Sequence, residues 1–303
     1  MTRPAIIREP CRLPWIVDEA EKVILANYEH WGLYQRGGLL VRVVIATADD
    51  NKIVRRPPGA VILRAADSTM LEDIFGRAIA FRNLKGNDID CPAKIGATYL
   101  SRAGMWKLPT LVGIVVAPVM RDDGSVLLKP GYDRATGLLR QSLIDWPPPP
   151  SLSREAVTAA VRRLQEPFAQ FPLSDAGRSV VISAILTGLQ RRRLFSAPAH
   201  AFDAPAQGSG RSLLADCVAL IVTGRPAATM SANKDQEEMR KKLVSILIAG
   251  DPVVNIDNIT EPLHSDALAS ILTLPTYKDR ILGKSQIVEV LTNVLFIPTG
   301  NNL

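Results

Sequence analysis

Cysteine and histidine are scarce in this chain, with three of each among 303 residues. Cys11, Cys91 and Cys217 lie far apart, are odd in number and show no C-x-x-C spacing. That pattern argues against a disulfide framework and a zinc site, and the expectation is reduced thiols in a cytoplasmic protein. Aromatic residues make up only 5%, too few for the broad stacking platform of a single-strand nucleic-acid binder. The first ten residues lack the apolar core of a signal peptide. No stretch approaches the roughly 18–20 consecutive apolar residues that a membrane span needs. No catalytic triad, metal cluster or carboxylate pair stands out either. Asp122, Asp123 and Asp133 accompany Asp-Gly and Pro-Gly steps, where turn chemistry explains them better than metal ligation.

What is present is ordinary for a soluble protein with a sizeable core: 47% hydrophobic and 22% charged residues. The length suits two domains or one large one. A net charge of +6 and a pI near 9.3 favour an anionic partner, nucleic acid first, and equally fit a mildly basic enzyme with a solvated surface.

Along the chain, residues 13–31 carry a helical apolar stripe, and 33–46 read as strand, glycine turn, strand. A short strand at 60–64 and an amphipathic helix over 69–82 follow. Arg36, Arg42, Arg55, Arg56, Arg64, Arg77 and Arg82 populate this region, as a nucleic-acid-binding face or as an ordinary basic surface. The β-branched run 110–120 reads as a buried strand, and 121–139 as hairpins. The prolines from Pro147 to Pro150 cannot continue a helix or a central strand. They set the expected boundary between an α+β region, 1–150, and an α/β region, 151–303. In the latter, a helix capped by Ser151 or Ser153 is followed by one ending in Arg191, Arg192 and Arg193. Strands at 199–202, 252–259, 286–290 and 294–302 then alternate with helices, which predicts a mostly parallel sheet with its ligand at the strands' carboxyl ends.

The stretch from Phe202 to Asp216 holds the chemistry. A strand end, a glycine-bearing loop and an apolar helix present backbone N–H groups and a helix N-terminus to an anion. Against G-x-x-x-x-G-K-[ST], Gly210 and Ser212 match, Pro205 stands at the first glycine, and Arg211 replaces the lysine. Asp257 ends the apolar run from Val253, where a carboxylate would hold the hydration shell of Mg²⁺ beside the loop hydroxyl. Asn301 and Asn302 follow a third strand. Arginine keeps the positive charge of lysine but is broad, planar and fork-shaped, which sets nucleotide binding and nucleotide hydrolysis apart as separate questions.

With Asp123-Gly124, the run Pro130 to Leu138, the run Pro205 to Asp216, the run Val253 to Ile259, Asp279 to Gly283, and Thr299 to Asn302, the chain resembles the AAA+-type helicase part of primase–helicase proteins of phages and mobile elements. The resemblance implies a P-loop NTPase core of α/β class at the C-terminus, using ATP and Mg²⁺ to move on DNA as a ring-shaped homo-oligomer. It assigns nucleotide contacts to Gly208, Ser209, Gly210, Arg211 and Ser212, and metal ligation to Ser212 and Asp257. Asn258 takes the place of a catalytic glutamate, Asn301 acts as sensor, and Arg280 offers a charge to phosphate. It also implies that the chain stops just after the sensor strand. The expected function is a DNA-dependent ATPase. The alternatives are a nucleotide- or DNA-binding module that has lost hydrolysis, and a scaffold with a vestigial loop.

Overall fold

A computed structural model describes residues 3–47, 53–141, 145–147, 153–204, 208–280 and 287–301. The chain divides into two units, Met1–Val44 with Leu63–Leu111, and Ile45–Ile62 with Val112–Leu303. Residues 112–150, which the proline run assigns to the N-terminal region, therefore fall within the second unit. Pro148–Pro150 and Ser151 lie outside the described residues.

In chain order the elements up to residue 100 are β1 (Ala5–Ile7), α1 (Leu13–Ala26), α2 (Tyr28–Trp31), β2 (Leu33–Arg36), β3 (Leu39–Ile45), β4 (Val61–Ala65), α3 (Ser68–Ala78), β5 (Ala80–Arg82) and α4 (Ile95–Leu100). β2 and β3 form the antiparallel hairpin expected from the Gly37-Gly38 turn. The helical stripe of α1 buries Ile16, Val17, Ala20 and Ile24 in one apolar cluster with Leu71, Ile74 and Phe75 of α3. Glu21 on the same stripe is buried, and its Oε1 accepts the Tyr99 hydroxyl at 3.0 Å and the Lys107 N–H at 2.8 Å. A buried carboxylate persists only when satisfied in this way.

Of the arginines of this region, Arg36 is interior and others form exposed ion pairs. Arg36 is buried and donates to Leu111 O, while Arg77 pairs with Asp73 and Arg82 with Asp88.

The second unit continues with β6 (Gly113–Val115), β7 (Val119–Met120), β8 (Val126–Leu127), β9 (Gly131–Asp133), β10 (Leu138–Arg140), α5 (Arg154–Gln165), α6 (Asp175–Gln190), β11 (Phe202–Asp203), α7 (Arg211–Thr223), β12 (Ala228–Ser231), α8 (Gln236–Ala249), β13 (Val253–Ile259), α9 (Asp266–Thr273), β14 (Thr276–Arg280), β15 (Ile287–Leu291) and β16 (Leu295–Gly300). Its centre is a four-stranded sheet of order β11-β16-β13-β12, parallel throughout. From β11 the chain crosses by α7 to the far edge at β12 and returns through α8 to β13. The last strand, β16, slots between β13 and β11. The carboxyl ends of β11, β16 and β13 thus stand side by side, at the edge where parallel sheets place their ligands. Apolar residues of α6 and α7 (Val181, Ile185, Leu214, Val218) pack with Phe202, Val253, Leu295 and Ile297 of the strands.

Two strand readings differ from this arrangement. β15 pairs antiparallel with β14 in a separate hairpin and adds nothing to the parallel sheet. β12, which is not among the strands expected from the sequence, is the sheet's edge. There Arg55 and Thr229 exchange both backbone hydrogen bonds at 2.8 Å, covering an otherwise open edge.

Of the basic triplet after α6, Arg191 is internal. Arg191 is buried and donates to Val294 O, Leu194 O and Thr292 O at 3.2, 2.9 and 2.7 Å. Arg193 pairs with Asp122. Arg192 lies so close to Gly113 that any side chain there would overlap its guanidinium. Arg191 and Arg193 tie the end of α6 to neighbouring segments of the unit.

Candidate functional site

β11 ends at Asp203, and α7 starts at Arg211. Gly208 and Gly210, at φ 75° and 85°, take the left-handed conformation that glycine adopts at least cost. Pro205, Ala206 and Gln207 lie outside the described residues. The other long helices of the unit each begin with a side-chain cap: Ser153 to Ala156 N, Ser174 to Gly177 N, Asp235 to Glu237 N, and Ser265 to Leu268 N. α7 alone among them begins on a glycine with no side-chain cap. Its first-turn N–H groups and the positive end of its dipole are left for an external acceptor.

Asp257 lies near the carboxyl end of β13. Its Oδ1 accepts the Ser212 hydroxyl at 3.0 Å and the Thr299 hydroxyl at 2.7 Å. Thr299 Oγ1 is also 2.9 Å from the side-chain oxygen position of Asn255. One hydroxyl proton cannot serve both. Donated to the carboxylate, it leaves Thr299 Oγ1 to accept from Asn255 with the amide turned round. Asn255 and Thr299 are 2% and 1% exposed, so the relay orients Asp257 from beneath the site.

Arg211 turns toward the sheet edge. Its Nη1 donates to Ala204 O at 3.1 Å and makes close hydrogen bonds to Gly300 O and Asn301 Oδ1. Asn301 is held a second time by its N–H, which donates to Ile259 O at 2.9 Å. This last bond follows a register shift between β13 and β16 that leaves Asn258 at φ 57°. A non-glycine residue in that region carries a conformational cost, retained here immediately after Asp257.

Gly300 makes the close approach possible, because a Cβ there would overlap Ile259 O and lie 2.8 Å from Ile259 Cβ. Gly300→Ala is therefore expected to lower stability by about 1–3 kcal/mol, as overpacking does. A urea melt measures it, and a loss below about 0.5 kcal/mol would show that the two strands part easily.

Beside the turn lies a cleft of about 210 Å³. Phe171, Pro172, Leu173 and Val180 line it together with Ser209–Arg211 of the turn. Phe171 Cε1 lies 3.5 Å from where a Gly210 Cβ would be. On α7, burial pushes the Asp216 carboxyl above its ordinary value. The Ala227 N–H that it accepts opposes this, and the nearby Asp257 charge reinforces it.

Of the residues expected to act together, Ser212 is hydrogen-bonded to Asp257 and Arg211 to Asn301 in two separate pairs, and Gly208–Gly210 belong to the turn beside them. Asn258 is exposed next to Asp257. Arg280 stands exposed at the end of β14 in the separate hairpin, its backbone N–H bonded to Asp279 Oδ1. No described contact joins it to the site. Asn302 lies outside the described residues. The sequence reading missed Thr299 and Asn255. Their signal was two polar residues inside otherwise apolar strand runs, where burial demands a partner.

Ser212 and Asp257 are hard oxygen donors already within hydrogen-bond distance of each other. That suits Mg²⁺, which takes one or two protein oxygens and completes its shell with water and phosphate. Among the described residues no cluster of three or more His, Cys, Asp or Glu side chains forms a metal cage, and no helix is long and apolar enough to cross a membrane. The chain matches no family model and no curated protein.

Proposed function

We propose that the second unit is a nucleotide-binding ATPase module that uses ATP with Mg²⁺ and couples to DNA in the manner of a helicase, working in the cytoplasm as a homo-oligomer. The observation that carries this reading is the convergence of Ser212, Asp257 and Asn301 on one uncapped, glycine-bearing turn at the carboxyl edge of a parallel sheet. In this reading the α7 N–H groups receive the phosphate oxygens. Ser212 and Asp257 hold the metal, which screens the phosphate charge. Thr299 and Asn255 keep Asp257 aimed, and Asn301 addresses the terminal phosphate. Preorganised donors of this kind are the main source of rate in phosphoryl transfer.

Titration of the full chain with a fluorescent ATP analogue and Mg²⁺ tests the site. Ser212→Ala and Asp257→Asn should each weaken binding at least about tenfold, since each removes a metal oxygen or its charge. Unchanged affinity in both variants would overturn the reading.

A second reading, a module that binds nucleotide without turning it over, is favoured by one observation. The Arg211 charge is directed to Ala204 O, Gly300 O and Asn301 Oδ1, on the sheet side of the turn.

A further inference from the structure

The cleft beside the turn addresses a question the phosphate site leaves open, which is the base the nucleotide carries. At about 210 Å³ it is smaller than the roughly 300–1,000 Å³ of a complete ligand pocket, and so is sized for part of a ligand. Among the described residues its lining side chains are apolar except Asp203, Ser209 and Arg211. All three belong to the turn or the strand leading into it, the phosphate and sugar end of any nucleotide bound there. The remainder of the wall is formed by Phe171, Pro172, Leu173, Val180, Phe202 and Leu214, with small residues between them.

Phe171 is set in place by its own surroundings. Its N–H donates to Phe168 O at 3.2 Å, its carbonyl accepts Leu173 N–H at 2.7 Å, and its ring lies 6.3 Å from that of Phe168. It therefore offers a fixed aromatic surface next to Gly210. An aromatic surface holds any base by stacking, because every base has a π-face. Strong discrimination between bases requires polar groups that are left unpaired by the wrong one, whereas an apolar pocket distinguishes ligands weakly.

We infer that this cleft takes the base of the bound nucleotide by stacking on Phe171 without side-chain reading of its edge, so that adenine and guanine nucleotides bind alike. The inference rests on the phosphate-site reading and adds the substrate class: purine nucleotides in general, with pyrimidines weaker because they bury less apolar area.

Displacement of a fluorescent ADP analogue from the full chain by ADP, GDP, CDP and pyrophosphate separates the two levels. ADP and GDP should compete within about threefold of each other, as expected where the described side chains away from the turn are apolar. Phe171→Ala should weaken both by about tenfold, the order that aromatic–base stacking contributes, while pyrophosphate competes as before. Phe171→Tyr, which keeps the ring, should retain both. A guanine nucleotide bound more than about thirtyfold weaker than ADP would show that the base edge is read, overturning this inference while the phosphate site stands. Equal loss of ADP, GDP and pyrophosphate binding in Phe171→Ala with binding kept in Phe171→Leu would remove stacking as the cause. If neither ADP nor pyrophosphate displaces the probe, the phosphate-site reading itself falls, and this inference with it.

Discussion

Replacing Asp251 by alanine should cost the second unit about 3–5 kcal/mol, the loss expected when one partner of a buried ion pair is removed. Asp251 follows the left-handed cap of α8 at Gly250 and immediately precedes Pro252 and β13. Its oxygens accept Arg56 Nε at 2.8 Å and Nη2 at 2.7 Å, and the two side chains are 3% and 7% exposed. Alanine leaves the guanidinium buried without its counter-charge. The forked geometry matters as much as the charge, so Arg56→Lys is expected to recover little. An apolar pair is the informative control. Arg56→Met with Asp251→Leu removes both charges together and should restore most of the stability lost in the single variant, because neither desolvation penalty remains. Urea unfolding followed by far-UV circular dichroism gives all four values. A single-variant loss below about 1 kcal/mol would place this pair in the class of solvated surface bridges.

That pair also shows where reading the sequence stops. Arg56 sits in a run, Arg55-Arg56-Pro57-Pro58, which looks like an exposed basic turn. It becomes interior because the segment runs alongside β12 and meets an aspartate 195 positions later. Arg191 is a similar case: a basic triplet after a helix reads as dipole complementation or phosphate contact, yet its guanidinium is filled by carbonyls from a connection a hundred residues away. Burial of long cationic side chains depends on which segments fold over them, and no local periodicity encodes that.

The loop and its two partners were more legible because their signals are local. Glycines at positions of positive φ, an apolar helix after them, and an acid or amide at the tip of an apolar run each follow from a few neighbouring residues. Thr299 and Asn255 each carried a local signal, but their meeting was not legible, since it depends on the register of β16 against β13, which pairs Asn255 with Ile297 and Ile256 with Pro298. Local pattern likewise marked 286–290 as a strand, and its expected place in the parallel sheet is not the one it takes. A hairpin partner ten residues upstream captured it, as short loop closure favours.

Arg211→Lys should move stability and turnover in opposite directions. The guanidinium now bonds to Ala204 O, Gly300 O and Asn301 Oδ1, tying the end of β11 to the end of β16. All three contacts are made by Nη1, so what lysine loses is the reach of the longer arginine side chain and not its fork. With part of this carbonyl cradle lost, the melt should show a decrease of about 1–2 kcal/mol, the scale of one or two hydrogen bonds. The same change frees the cation to follow a phosphate, and it frees Asn301 from its contact with the arginine. If the inward-held arginine limits the reaction, ATP turnover should rise at least about tenfold, equivalent to about 1.4 kcal/mol off the barrier, with nucleotide affinity little changed. The two measurements separate the readings. Faster turnover in a less stable variant makes Arg211 a brake on a site otherwise assembled for hydrolysis. Equal turnover in both forms shows that the guanidinium does not set the rate. Turnover present in the original chain and lost with lysine would mean that the arginine leaves its carbonyl cradle to serve the phosphates, and that the conformation described here is the resting one.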